Sequence, residues 1–133
     1  MSMANPYQAY RQNAVNTATP GELTLMLYDG CLKFIRLARE AINNNDIQAK
    51  NTNIQKAQNI ITELMVTLDM KYEISKQMMP LYDFVRRKLI EANVKNSLQS
   101  LEEAETIVKE FRETWKEVIK ITRQNQHGKG GKV

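Results

Sequence analysis

Thr19-Pro20-Gly21-Glu22-Leu23-Thr24-Leu25-Met26-Leu27-Tyr28-Asp29-Gly30 opens the first long apolar periodicity of the chain. Thr19 is a residue type that caps helices, and Pro20 suits the first helical position. Glu22 follows three after the cap, the spacing of a capping box. The apolar stripe Leu23, Leu27, Cys31, Phe34, Ile35, Ala38 and Ile42 then recurs at helical spacing. Glu22, Asp29, Lys33, Arg36 and Glu40 form an opposite charged stripe, with Asp29 and Lys33 a supportive i,i+4 pair. The run Asn43-Asn44-Asn45 ends this helix. One apolar stripe on a long helix needs other helices to bury it.

Working outward, Asp46 is a good cap for a second helix. Its first turns, Gln48 to Lys56, are mostly polar, and Ile54, Ala57, Ile61, Leu64 and Leu68 then supply its apolar face. A third helix runs from about Ile74 to Asn93, with Met78, Leu81, Tyr82, Val85, Leu89 and Ala92 on one face. Pro80 interrupts it: proline lacks an N–H and clashes with the preceding turn, so this helix either begins near Pro80 or is kinked there. Asn96 and Gln99 offer a capping pair for a fourth helix. Its apolar residues Leu101, Ala104, Val108, Phe111, Trp115 and Val118 alternate steps of three and four, the seam of a packed bundle. Short breaks between the segments favour antiparallel neighbours. The expected fold is therefore all-α, an antiparallel up-and-down four-helix bundle. Residues 1–18 form an N-terminal segment, 19–122 the bundle, and 123–133 a flexible basic tail.

The composition of the 133 residues, 42% apolar and 26% charged with five Gly and three Pro, supplies a core and too few turn residues for a β protein. No run reaches the roughly 18 apolar residues of a membrane span, and Met1 to Tyr10 has no apolar stretch resembling a secretory signal. The single cysteine, Cys31, forms no internal disulfide and fits a reducing cytosol, so a cytoplasmic location is expected. Signals for chemistry are nearly absent. His127 is the lone histidine and lies in the tail, while Cys31 sits on the apolar stripe as a small hydrophobe. No His or Cys cluster suits zinc. No Glu-x-x-His pair suits a di-iron bundle, and no Gly-rich loop suits phosphate. Glu102, Glu103 and Glu105 read as the solvated start of the fourth helix. No enzyme and no cofactor is expected.

The net charge of +4 permits a second reading, a helical nucleic-acid- or regulator-binding module. Arg86-Arg87-Lys88 is the only basic triplet, and its members point in different directions on a helix. Lys129 and Lys132 could touch phosphates, but no set of polar residues converges as base recognition requires. Binding that weakens steeply as salt rises would favour this alternative. An apolar surplus points elsewhere. Leu25, Met26, Tyr28 and Leu32 lie beside the core stripe of the first helix, and Ile60, Met65 and Tyr72 lie near that of the second. A wide stripe explains any one of them. Together, and with seven methionines, they suggest a groove for an apolar partner.

Several of these residues carry a family resemblance. Tyr7-Gln8-Ala9-Tyr10 and the run from Val15-Asn16-Thr17-Ala18 through Thr19-Pro20-Gly21-Glu22 to Tyr28-Asp29-Gly30 resemble the opening of the FliS family, flagellin-specific export chaperones of bacterial flagella. Lys56-Ala57-Gln58-Asn59-Ile60-Ile61, Glu63-Leu64, Leu81-Tyr82-Asp83-Phe84, Glu91-Ala92-Asn93 and Trp115 match further. Met79-Pro80 departs from the pattern. The resemblance spans about Pro6 to Thr122. It implies a short N-terminal segment packed over the bundle and a cytoplasmic partner, the C-terminal region of flagellin. That partner is held back from early polymerisation and delivered to the export gate of the flagellar type III apparatus, with no nucleotide or metal. Surplus and resemblance together place the flagellin groove, or its immediate support, at Leu25, Tyr28, Ile60, Leu64, Leu68, Tyr82, Val85 and Leu89, part of them core. The resemblance alone implies that Tyr7 and Tyr10 dock the loaded complex on the cytoplasmic domain of the gate protein FlhA.

Overall fold

The capping box forms. In the computed structural model of the chain, which describes residues 19–130, the Glu22 N–H donates to the Thr19 hydroxyl at 3.2 Å while the Glu22 carboxylate accepts from the Thr19 N–H at 3.4 Å. The Thr19 hydroxyl also donates to the Glu22 carboxylate at 2.9 Å, and this bond first, then the Thr19 N–H, holds the Glu22 carboxyl below its usual range. Residues 1–18, Tyr7 and Tyr10 among them, lie outside the described residues. From this cap helix α1 spans Pro20–Asn43, followed by α2 (Ile47–Thr67), α3 (Glu73–Lys95) and α4 (Leu98–Gly130). There is no strand among the described residues.

Short links fold the helices back on one another. Asn45 (φ 58°) and Asn96 (φ 51°) adopt the left-handed conformation at two of the junctions, which asparagine tolerates better than most side chains. Asp46 caps α2 by accepting from the Ala49 N–H at 3.1 Å. At the last junction the expected pair, Asn96 with Gln99, is not the cap. Asn96 closes α3, and the Ser97 hydroxyl accepts from the Ser100 N–H at 3.1 Å to start α4. A residue at positive φ lacks the extended backbone an N-cap needs.

Pro80 neither starts α3 nor splits it. The helix begins at Glu73 and runs through the proline. Lys76, whose carbonyl loses its donor, and Pro80 are both exposed, so the orphaned group lies on the solvent side of the helix. Helix α4 extends to Gly130, beyond Gln124 where the sequence places the start of a tail.

The helices form a ring in which α1 packs on α2 and α4, and α3 on α2 and α4, an antiparallel four-helix bundle. Its core holds Cys31, Ile35 and Ala38 of α1, Ile54, Ala57, Ile61 and Leu64 of α2, Val85, Leu89 and Ala92 of α3, and Leu101, Ala104 and Val108 of α4. Burial pushes the Cys31 thiol up to about 12. One charge enters this interior. Lys50 is 5% exposed, and its ammonium donates to the Asn93 carbonyl at 2.9 Å and to the Asn96 side chain. A cation at the last turn of α3 is favoured by the helix dipole. The pair expected between Asp29 and Lys33 is replaced by one across helices, Asp29 with Arg112.

Candidate functional site: an apolar groove between α3 and α4

The α4 seam outlasts its partner. α3 has 23 residues and α4 has 33, so at a rise of about 1.5 Å per residue α4 overruns the start of α3. Along the seam, Leu101, Ala104 and Val108 are fully buried, Phe111 and Trp115 are partly so, and Val118 and Ile121 are 41% and 52% exposed. On α3, Leu81 (43%) and Ile74 (60%) are exposed beside the buried Tyr82 (2%) and Ser75 (5%).

Between these open stretches lies a groove of about 380 Å³. Ile74, Met78 and Leu81 form one wall, Ile107, Trp115 and Val118 the other, and Gln77, Glu110 and Thr114 complete the lining. Phe111 and Tyr28 reach it from below. The Tyr28 and Phe111 rings stack with centroids 5.9 Å apart, and Tyr82 meets Phe111 at 5.0 Å. The two tyrosine hydroxyls share a hydrogen bond of 2.6 Å. Burial, above all, raises both phenols, Tyr28 well above its ordinary range. Three helices thus contribute one aromatic each to a stiff floor. Trp115 is fixed from its other edge, its indole N–H donating to the Gly21 carbonyl at 2.8 Å. Trp115 and Val118 also line a second hollow of about 370 Å³ with Thr19, Gly21, Ile119, Thr122 and Arg123. One apolar surface therefore runs from α3 across α4 to the start of α1.

The residues expected for the groove divide by depth. Tyr28, Leu64, Tyr82, Val85 and Leu89 are core, none more than 2% exposed. Of these only Tyr28 also lines the groove, with Tyr82 directly behind it. Ile60 and Leu68 are half-buried against the core along α2, and Leu25 lies on the opposite flank, between α1 and α4. They do not converge on one surface. The walls themselves, Ile74, Leu81, Trp115 and Val118, look in sequence like the ends of core stripes. What separates them from core is the face they occupy: Ser75 and Tyr82, next to Ile74 and Leu81 in the chain, are the ones turned inward.

The lining of the groove is mostly apolar. Among the described residues no three His, Cys, Asp or Glu side chains gather as metal ligands, and no helix is long and apolar enough to cross a membrane. The basic triplet is occupied by carboxylates. Asp83 takes Arg86 at 2.8 Å and Arg87 at 3.0 Å, while Lys88 lies 3.5 Å from Glu91 and 3.4 Å from Glu103. These contacts, led by the Arg86 hydrogen bond, lower the Asp83 carboxyl.

Comparison with known proteins concerns the chain as a whole. Residues 3–122 match the family model described as flagellar protein FliS. The chain is 56% identical over 131 residues to the flagellar secretion chaperone FliS of Bacillus subtilis (strain 168), covering 98% of each chain. It is 35% identical over 126 residues to that of Escherichia coli (strain K12), covering 90% of this chain and 93% of the other. A crystal structure titled as a flagellar chaperone from bacteria superposes with a TM-score of 0.71 at 20% identity, over 86% of this chain and 94% of that one. At that identity the likeness concerns the fold.

Proposed function

The chain belongs to the FliS family of flagellar secretion chaperones, and from that premise we propose that its cargo is the C-terminal region of flagellin, held in the α3/α4 groove. As a member of a chaperone family it is an export chaperone and not an enzyme. The observation that carries the cargo assignment is the groove: an open apolar channel with a stiff aromatic floor, where a fully packed bundle would have none. A segment destined to pack into a filament carries apolar helical stripes. Before export they lack partners and aggregate, and a helix laid in a groove hides them. Ordering a disordered segment on binding offsets part of the contact energy, so the complex is stable yet releasable. The cargo is met in the cytoplasm, kept from polymerising, and carried to the FlhA export gate.

Residues 1–18 join the bundle at Thr19, which lines the second hollow beside Trp115. In this proposal they cover that surface until cargo displaces them, and Tyr7 and Tyr10 then dock the loaded complex on the cytoplasmic domain of FlhA. Calorimetric titration of flagellin with and without its C-terminal region tests the cargo: a one-to-one complex is expected with the first and none with the second, and equal binding overturns the assignment. Tyr7→Ala with Tyr10→Ala should keep flagellin binding and weaken pull-down of the loaded complex by the FlhA domain. Undiminished capture removes the docking role.

A further inference from the structure

Helix α4 is charged asymmetrically about its own axis. The edge beside α1 carries Lys109, Arg112, Lys116, Lys120 and Arg123, at spacings of three and four that keep them in one row, with one carboxylate among them, Glu113, engaged by Arg112 at 2.7 Å. The edge away from α1 carries Glu103, which reaches Lys88 of α3, and Glu110, which lines the α3 groove. Along the α1/α4 seam lie two hollows of about 390 Å³ each. Leu25 and Ile119 floor the first beneath Lys116 and Lys120, and Leu32 floors the second beneath Lys33, Arg36 and Lys109. The Arg112–Asp29 pair bridges the seam.

The carboxylates of this seam are all engaged. Glu22 is taken by Thr19 and by Arg123 at 3.4 Å, Asp29 by Arg112, and Glu105 by Arg39. Among the described residues Lys109, Lys116 and Lys120 are exposed and have no ion pair. The seam is thus an apolar floor under three uncompensated ammonium groups. Leu25 and Leu32 stand seven residues apart, about two helical turns, the interval of two anchors on one face of a partner helix.

We propose that the α1/α4 seam is a second protein-docking surface, whose occupant is an amphipathic helix of another protein with apolar anchors flanked by carboxylates. Charge complementarity selects that occupant. The chain's own residues 1–18 contain no Asp or Glu, so they cannot supply the carboxylates. In a second copy the acidic edge of α4 would have to meet this basic edge. Joining two different patches is a head-to-tail contact, which gives rings or open filaments rather than a closed pair. A nucleic-acid backbone would use the lysines and leave Leu25 and Leu32 without partners. The seam shares Ile119 and Arg123 with the hollow beside Trp115 but no lining residue with the α3/α4 groove, so it does not depend on what that groove binds.

The test uses the full chain and three labelled probes in anisotropy titrations. The first is a synthetic amphipathic helix of about 18 residues with Leu anchors flanked by Glu, the second its twin with Gln for every Glu, and the third a DNA duplex of about 20 base pairs. The Glu peptide should bind about tenfold or more tighter than the Gln twin. Lys109→Glu with Lys116→Glu and Lys120→Glu should abolish that margin, and the milder Lys116→Ala with Lys120→Ala should reduce it. Leu81→Asp, in the other groove, should leave it intact. Circular dichroism checks that each variant is folded. Equal binding of the two peptides overturns the proposal, as does a margin that survives the Lys variants. DNA bound more tightly than the Glu peptide and lost in the same variants would make the surface a nucleic-acid site. Self-association by sedimentation that disappears in the triple variant would assign it to a second copy.

Discussion

The two tyrosine hydroxyls beneath the groove matter more than their size suggests. Tyr28 and Tyr82 are 1% and 2% exposed and hydrogen-bond each other at 2.6 Å. Removing either hydroxyl strands the other in the interior, whereas removing both leaves no stranded group. Tyr28→Phe and Tyr82→Phe should each cost about 1–3 kcal/mol, and the double variant clearly less than their sum; urea unfolding measures all three. The same burial makes stability sensitive to alkali. Tyr28, Tyr82 and Cys31 all have raised values in the folded state, set first by burial. Their neutral forms are therefore favoured by folding. Their contribution is fully present below the ordinary values of 9.0 for the thiol and 10.0 for the phenols. Above these the unfolded chain releases protons that the folded chain keeps, so stability falls as pH rises. The urea midpoint should drop between about pH 8 and about pH 10.5, and Cys31→Ala should flatten the drop. An unchanged slope would mean that the thiol ionises equally in both states. Tyr28 was legible as an apolar residue beside a stripe. That its hydroxyl meets one 54 positions away was not, because such a partner is a product of packing.

At the scale of elements, most helix starts were legible because caps are local. Thr19, Glu22 and Asp46 act within four residues of chain, and sequence carries that information directly. The exceptions have physical reasons. Asn96 is a good cap type, yet its φ of 51° closes the helix before it. Residues 123–133 read as a flexible tail, yet α4 reaches Gly130 through Gly128, since glycine costs only about 1 kcal/mol in a helix. Pro80 reads as a boundary, yet it lies inside α3 on the solvent side. Pro80→Ala restores a donor for the Lys76 carbonyl and should raise stability by about 1–3 kcal/mol. Thermal melting checks the sign. A lower melting temperature would show that the proline is held by packing the helix cannot recover with alanine.

For the whole molecule, core and groove are separable by their response to mutation. Leu89→Ala, at a site with no exposure, should cost about 2–5 kcal/mol. Leu81→Asp and Val118→Asp, at sites 43% and 41% exposed, should change stability by about 0.5 kcal/mol or less and sharply weaken flagellin binding. Paired melting and titration sort the two classes. Loss of affinity only in step with loss of stability would leave no groove distinct from the core. The sequence by itself determined four amphipathic helices, their order, the caps of the first two and the family. Periodicity and capping are properties of short stretches, and the Thr19-to-Gly30 block is specific. Only the tertiary structure decided which apolar residues are core and which are wall. Leu81 and Leu89 sit on one stripe with the same periodicity, and what parts them is the neighbour each meets. Leu89 is enclosed within the bundle, and Leu81 borders the open α3/α4 groove while Tyr82 beside it turns into the core. Burial depends on how the other helices sit around each position, and a stripe written along one helix does not contain that.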